Sequence, residues 1–249
     1  PRELQSIRIE RTKVPQHIIS IVCSKFDMLS SLTLSMCGSI NLDIRLFRGL
    51  KHLNLSYNSL IVDSELREIV QCNPLLEHLN LKMCGGIRNC PIEAPNLKQL
   101  LLTRTSVTDA DVHELMQHCP TLQRLDINCC PNLISPVLRS HSLMYLDLSE
   151  NEFVRERSIV PTIEHVSHLR VLIARWCPDM FAHDSTEQFY RVFKNLSLLD
   201  VVGSVGKEDA AGELRRKLKE NDRDFELIAV EQVMVSNAKL AKKFTFQSP

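Results

Sequence analysis

Apolar residues recur along this chain at the first, fourth and sixth places of a nine-residue frame that often closes on Asn or Cys. The frame opens at Leu4 (LQSIRI), Leu29 (LSSLTLSMC), Leu50 (LKHLNLSYN), Leu76 (LEHLNLKMC) and Leu97 (LKQLLLTRT). It continues from Leu122 (LQRLDINCC), Leu143 (LMYLDLSEN), Leu169 (LRVLIARWC) and Leu196 (LSLLDVVGS). Places 3, 5, 7 and 8 are mostly polar, so each copy predicts a short strand with places 4 and 6 on one side and 3 and 5 on the other. Successive starts lie 25, 21, 26, 21, 25, 21, 26 and 27 residues apart, so long units alternate with short ones. The long units have room for a helix, expected at 14–26, Asp63–Cys72, 108–119 and 155–166, with 184–194 and 207–220 completing the series. Asp63 and Thr108 are the expected helix N-caps. The short units, such as GGIRNCPIEAPN, are too brief and too rich in Gly and Pro for a helix, and extended or 3₁₀ connectors are expected there.

A repeat of this length cannot bury its own apolar stripe, so neighbours must stack and share one core. The frame resembles the leucine-rich-repeat signature. The predicted fold is therefore an α/β leucine-rich-repeat solenoid, with a curved parallel sheet on the concave side and helices alternating with short connectors on the convex side. About nine repeats span residues 1–205, and 206–249 are expected to supply a capping helix, a short strand (FELIAV) and a tail. At place nine, Asn58 and Asn151 are expected to hydrogen-bond loop backbone left exposed where a strand ends. Cys37, Cys84, Cys130 and Cys177 fill the same corner as small buried thiols.

Composition narrows the field. Leu supplies 36 of 249 residues, whereas aromatics make up 5%. Thirty basic residues balance thirty acidic ones, which argues against nucleic acid as the partner, because that footprint is a basic surplus. No run of 18 apolar residues is present, so no membrane-spanning helix is expected. Only Cys84 and Cys90 approach a metal-ligand spacing, and no second pair matches them, so no metal or other cofactor is expected. Reduced thiols in a cytoplasmic or nuclear protein are the expected state of the nine cysteines. Asn54 and Asn195 head Asn-Leu-Ser triplets, which keeps a secreted or receptor ectodomain open as an alternative.

No nucleophile–base set or phosphate-binding loop is found, so an enzyme is not expected. His52 and His78 should sit side by side at place three, and Asp126 and Asp147 at place five. The acidic pair resembles a carboxylate dyad, yet an open sheet face shields such chemistry poorly, and docking of a partner's cation is the expected role. The face drifts from polar through charged to apolar along the chain. Arg104, Arg124, Asp126, Tyr145, Asp147, Arg175 and Trp176 are the candidate contacts with a protein or peptide. Val171, Ile173, Leu198 and Val202 should form an apolar patch beside them, to be covered by a partner or by the chain's own tail through Phe244 and Phe246.

The segments QCNPLLEHLNLKMC and QHCPTLQRLDINCC resemble the cysteine-containing subtype of leucine-rich repeat found in F-box leucine-rich-repeat proteins. The C-terminal order (LSLLDVVGS, helix, FELIAV, tail) is similar to that of the S-phase kinase-associated F-box protein. This resemblance implies the substrate-recognition part of a Skp–cullin–F-box type ubiquitin ligase. The F-box itself finds no counterpart before the first strands, so the adaptor is expected to engage only through a segment upstream of Pro1. A scaffold or inhibitor unrelated to ubiquitination uses the same face in the alternative reading.

Overall fold

The computed structural model describes residues 4–15, 17–18, 21, 25–26, 28–38, 48–155, 158, 163–177 and 195–204, and the backbone of 226–228. Ten strands form a single parallel sheet in strict chain order. They are β1 (Ser6–Glu10), β2 (Ser31–Ser35), β3 (His52–Asn54), β4 (His78–Asn80), β5 (Gln99–Leu101), β6 (Arg124–Asp126), β7 (Tyr145–Asp147), β8 (Val171–Ile173), β9 (Leu198–Asp200) and β10 (Glu226–Ile228). Pairing holds each repeat place opposite itself, as in His52↔His78, Leu53↔Leu79 and Asn54↔Asn80, so every column of the frame becomes a row across the sheet. β10 pairs with β9 in the register Glu226↔Leu198 and gives the edge strand a backbone partner.

Places 1, 4 and 6 form the core. Leu50, Leu76, Leu97, Leu122 and Leu143 are wholly buried, as are Leu55, Leu81, Leu102, Ile127 and Leu148. β1 is the edge strand of the sheet among the described residues, and Leu4 just before it is exposed.

The long units carry α1 (Asp63–Cys72) and α2 (Asp109–His118). Thr108 caps α2 as expected: its Oγ1 accepts from Asp111 N, and Asp111 Oδ2 accepts from Thr108 N at 2.7 Å. At α1 the expectation fails. The cap position belongs to Val62, and Asp63 is the first helical residue. Its carboxylate is drawn across to the next short unit, accepting from Arg88 N at 2.8 Å and Asn89 N at 3.2 Å. Asp109 does the same 46 residues later, accepting from Ile134 N and Ser135 N at 3.0 and 2.9 Å. These acids therefore clamp a long unit to the short unit that follows it. The connectors 85–96 and 131–142 are turns and extended backbone, with no 3₁₀ turn among the described residues. Of the other expected helices, 14–26 is helical at its described residues 17–18, 21 and 25, and 155–166 at 158 and 163, while 184–194 and 207–220 lie outside the described residues, as does the tail.

Place nine corrects a second expectation. Asn58 and Asn151 bond buried backbone, and both are themselves buried. Asn151 Oδ1 accepts from Cys130 N at 2.7 Å, while its Nδ2 donates to Ile127 O and Leu148 O at 2.9 and 2.7 Å. Asn58 repeats this with Cys37 N, Leu34 O and Leu55 O. Ser204 closes the series by accepting from Cys177 N and donating to Ala174 O. The intervening cysteines use their thiols in the same direction, each toward the preceding repeat. Cys84, Cys130 and Cys177 donate to Leu55 O, Leu102 O and Leu148 O at 3.1, 3.3 and 3.2 Å. Burial pushes each of these three thiols up to about 11. The polar and thiol corners thus alternate with the short–long rhythm, each satisfying what the strand ends leave open.

Candidate binding face

The face built from places 3, 5, 7 and 8 lies opposite the core. At place three, flat side chains meet at nearly the strand spacing of about 4.8 Å, which suits stacking. His52 and His78 are stacked with centroids 4.5 Å apart and planes 16° apart. Gln99 Oε1 lies 3.0 Å from His78 Nδ1. Arg124 lays its guanidinium carbon 3.8 Å over the centre of the Tyr145 ring. Burial, and then the neighbouring His78, hold the His52 imidazole below its ordinary value. Burial pushes the Tyr145 hydroxyl up to about 12.

Place five explains the acidic residues. Wherever it is Asn or Asp, its side chain accepts from the backbone N–H two residues on, capping the strand end. Asn54 takes Ser56 N at 3.0 Å, Asn80 takes Lys82 N at 3.1 Å, and Asp147 takes Ser149 N at 3.0 Å. Asp126 and Asp147 stand directly opposite each other, as the sequence pattern predicts. Where a partner's cation is expected at this pair, the chain's own Lys82 reaches Asp126 at 3.0 Å, and Thr103 Oγ1 donates to the same residue at 2.9 Å. Arg175 is likewise held by Asp200, its Nε donating at 2.7 Å. Asp147 makes no ion pair among the described residues; burial, and then Asp126, raise its carboxyl above the usual range.

That arrangement gives a signed prediction. A carboxyl raised in the folded chain keeps its proton to higher pH there than in the unfolded chain. Its destabilising effect is therefore absent below the unfolded value and complete above the folded one. Asp147→Asn keeps the oxygen that takes Ser149 N, as Asn54 and Asn80 do on their own strands. It is expected to be about 0.5 kcal/mol more stable than the parent at pH 7, the scale of a like-charge cross-strand pair. The gain should vanish below about pH 4. Urea denaturation across pH reads it, and an equal gain at every pH would exclude this charge effect.

Place eight forms the rim. Arg11, Met36, Tyr57, Met83, Arg104, Cys129, Glu150 and Trp176 all have φ between 53° and 63°, and Gly203 has 71°. Each of the first eight donates its N–H to the place-seven carbonyl of the next repeat, as Trp176 N does to Val202 O at 2.8 Å. Arg104 is exposed, and Trp176 is 57% exposed. The indole nevertheless has a seat: a Cβ on Gly203 would stand 2.3 Å from its Cε3. Gly203→Ala is expected to push the indole off its neighbour, raising acrylamide quenching of the only tryptophan. Unchanged quenching would show that the ring does not rest there.

The apolar patch differs from expectation. Val171 and Leu198 are 5% and 6% exposed, closed over by packing with Tyr145, Ile173 and Val202. The structure therefore groups Arg124 with Tyr145, and Asp126 with Asp147. Arg175 and Trp176 stand beside Asp200 and Gly203, while Arg104 stands apart on the rim three repeats earlier. Lys82, Asp200 and Gly203 belong to this face as much as the residues the sequence singles out, and the signal for them is their register: Asp200 and Gly203 lie one strand from their partners, and Lys82 lies two strands from Asp126.

A family described as FBD-associated F-box protein At5g56370, LRR repeats, matches residues 88–186. No curated protein sequence matches. Among solved structures, a chain of the yeast Rad7 and Elc1 complex superposes with a TM-score of 0.63 at 17% identity, covering 84% of this chain and 59% of that one. This chain thus spans under two thirds of that chain's length. A Bacteroides fragilis protein gives a TM-score of 0.42 at 15% identity, over 92% of this chain and 65% of that one. The chain is an α/β leucine-rich-repeat solenoid, similar over residues 88–186 to the repeats of an F-box-associated family.

Proposed function

We propose that this chain is a non-catalytic protein-binding domain, the substrate-recognition part of a Skp–cullin–F-box type ubiquitin ligase in the cytoplasm or nucleus. The observation that carries the binding reading is Trp176, an exposed indole seated on Gly203 beside the Arg175–Asp200 pair. A large side chain held still at a rim loses little freedom on docking, which is what an interface anchor needs. The match to F-box-associated repeats and the likeness to a chain from the Rad7 and Elc1 complex support the ligase context. Thiols that donate to buried carbonyls support a reducing compartment.

The test is capture from lysate on the full-length protein, followed by affinity measurement with the captured partner. Trp176→Ala is expected to weaken binding by about 2 kcal/mol or more, the scale of an interface anchor. Adaptor and cullin should accompany the full-length protein. A partner held equally by the variant moves the site off this rim, and an assembly without adaptor removes the ligase assignment.

A further inference from the structure

One cation on the open face has nothing to hold. Arg124 makes no ion pair among the described residues, its guanidinium lies on Tyr145, and its Nε is buried without a hydrogen-bond partner. A buried donor left unmade costs about 1–3 kcal/mol, so the arrangement calls for an acceptor. Arg124 lines a cavity of about 300 Å³ with Glu77, His78, Lys98, Gln99 and Gln123. The other charges there are already matched. Lys98 donates to Glu77 at 2.6 Å, and Lys51 lies 3.8 Å from the same carboxylate. Asp126 is taken by Lys82. Leaving the imidazole aside, the lining carries Lys98 and Arg124 against Glu77, a surplus of one positive charge.

We infer that this cavity receives a carboxylate from the bound partner polypeptide, held by the Arg124 guanidinium. The positive surplus of the lining, with Lys51 beside it, favours an anion. A planar group matches the planar guanidinium that lies over Tyr145. The guanidinium edge offers two parallel N–H donors to a carboxylate, and Tyr145 beneath it fixes the orientation of that edge. The inference rests on the protein-binding reading and adds to it the chemistry of one contact.

The experiment follows the Arg124 Nε–Hε resonance by NMR in this chain, identified by its absence from Arg124→Lys. The probes are N-acetyl-glutamic acid amide, its glutamine counterpart and N-acetyl-phosphoserine amide. The acid is expected to shift the resonance saturably and the glutamine amide to leave it in place. Lys98→Gln, which removes the positive surplus of the lining, should raise the midpoint about tenfold. Arg124→Lys, which keeps charge and fold, should lose saturable binding as judged by the neighbouring Gln99 side-chain amide. If the acid shifts Arg124 no more than it shifts exposed Arg104, the inference falls. Tighter binding of phosphoserine overturns the carboxylate in favour of a phosphoryl group. Saturable binding here with no partner captured would sink the ligase reading and leave the cavity standing. A captured partner indifferent to Arg124, with no Nε shift, would do the reverse.

Discussion

Asn151→Ala is expected to cost about 4 kcal/mol, enough to unfold a marginal repeat protein at body temperature. The side chain is fully buried and makes three backbone hydrogen bonds, one accepted from Cys130 and two donated to Ile127 and Leu148. Alanine orphans the Cys130 N–H and the Ile127 carbonyl outright; Leu148 O retains the Cys177 thiol. Each orphan costs about 1–3 kcal/mol, and the cavity adds to the sum. Asn151→Ser should recover part of the loss, because Ser204 performs the same double duty for Cys177 and Ala174. Guanidinium denaturation of the three proteins decides it. An alanine variant within 1 kcal/mol of the parent would show that the corner bonds are not what joins these repeats.

Gly86→Ala should cost about 3 kcal/mol, while its neighbour Gly85→Ala should stay within about 0.5 kcal/mol. A Cβ on Gly86 would lie 2.3 Å from Ile61 O and 2.8 Å from Ser59 O, whereas one on Gly85 meets nothing within 4 Å. The obstructing atoms are backbone of the preceding long unit, so no side chain can swing aside to make room. Two adjacent glycines with opposite outcomes make a sharp comparison, again by denaturation. Equal effects would mean that the stack yields more readily than its close packing implies.

Much of the frame is readable from residues alone, because places 1, 4 and 6 obey a single rule at every repeat. The same regularity carries the strand register and the alternation of α1 and α2 with helix-free connectors. What escapes the pattern depends on contacts between repeats. Asp63 has the look of a cap, yet two amides 25 and 26 residues away outbid its own helix. GGIR does not say which glycine meets a carbonyl. Columns place Asp126 beside Asp147 but do not disclose that Lys82 already reaches across. Nor do they disclose that Val171 and Leu198 close over one another with Tyr145.

The rim has a consequence for how such a face could change. At eight non-glycine positions the backbone turns left-handed, a conformation that disfavours side chains by about 1–2 kcal/mol each. The turn is held by a main-chain bond to the next repeat, as in Arg104 N to Asn128 O. The penalty is thus nearly blind to which side chain stands there, and Met, Tyr, Arg, Cys, Glu and Trp all occupy the same geometry. The rim behaves as a row of interchangeable sockets on a fixed rail. A new recognition specificity could be written there one residue at a time while the leucine core beneath stayed untouched.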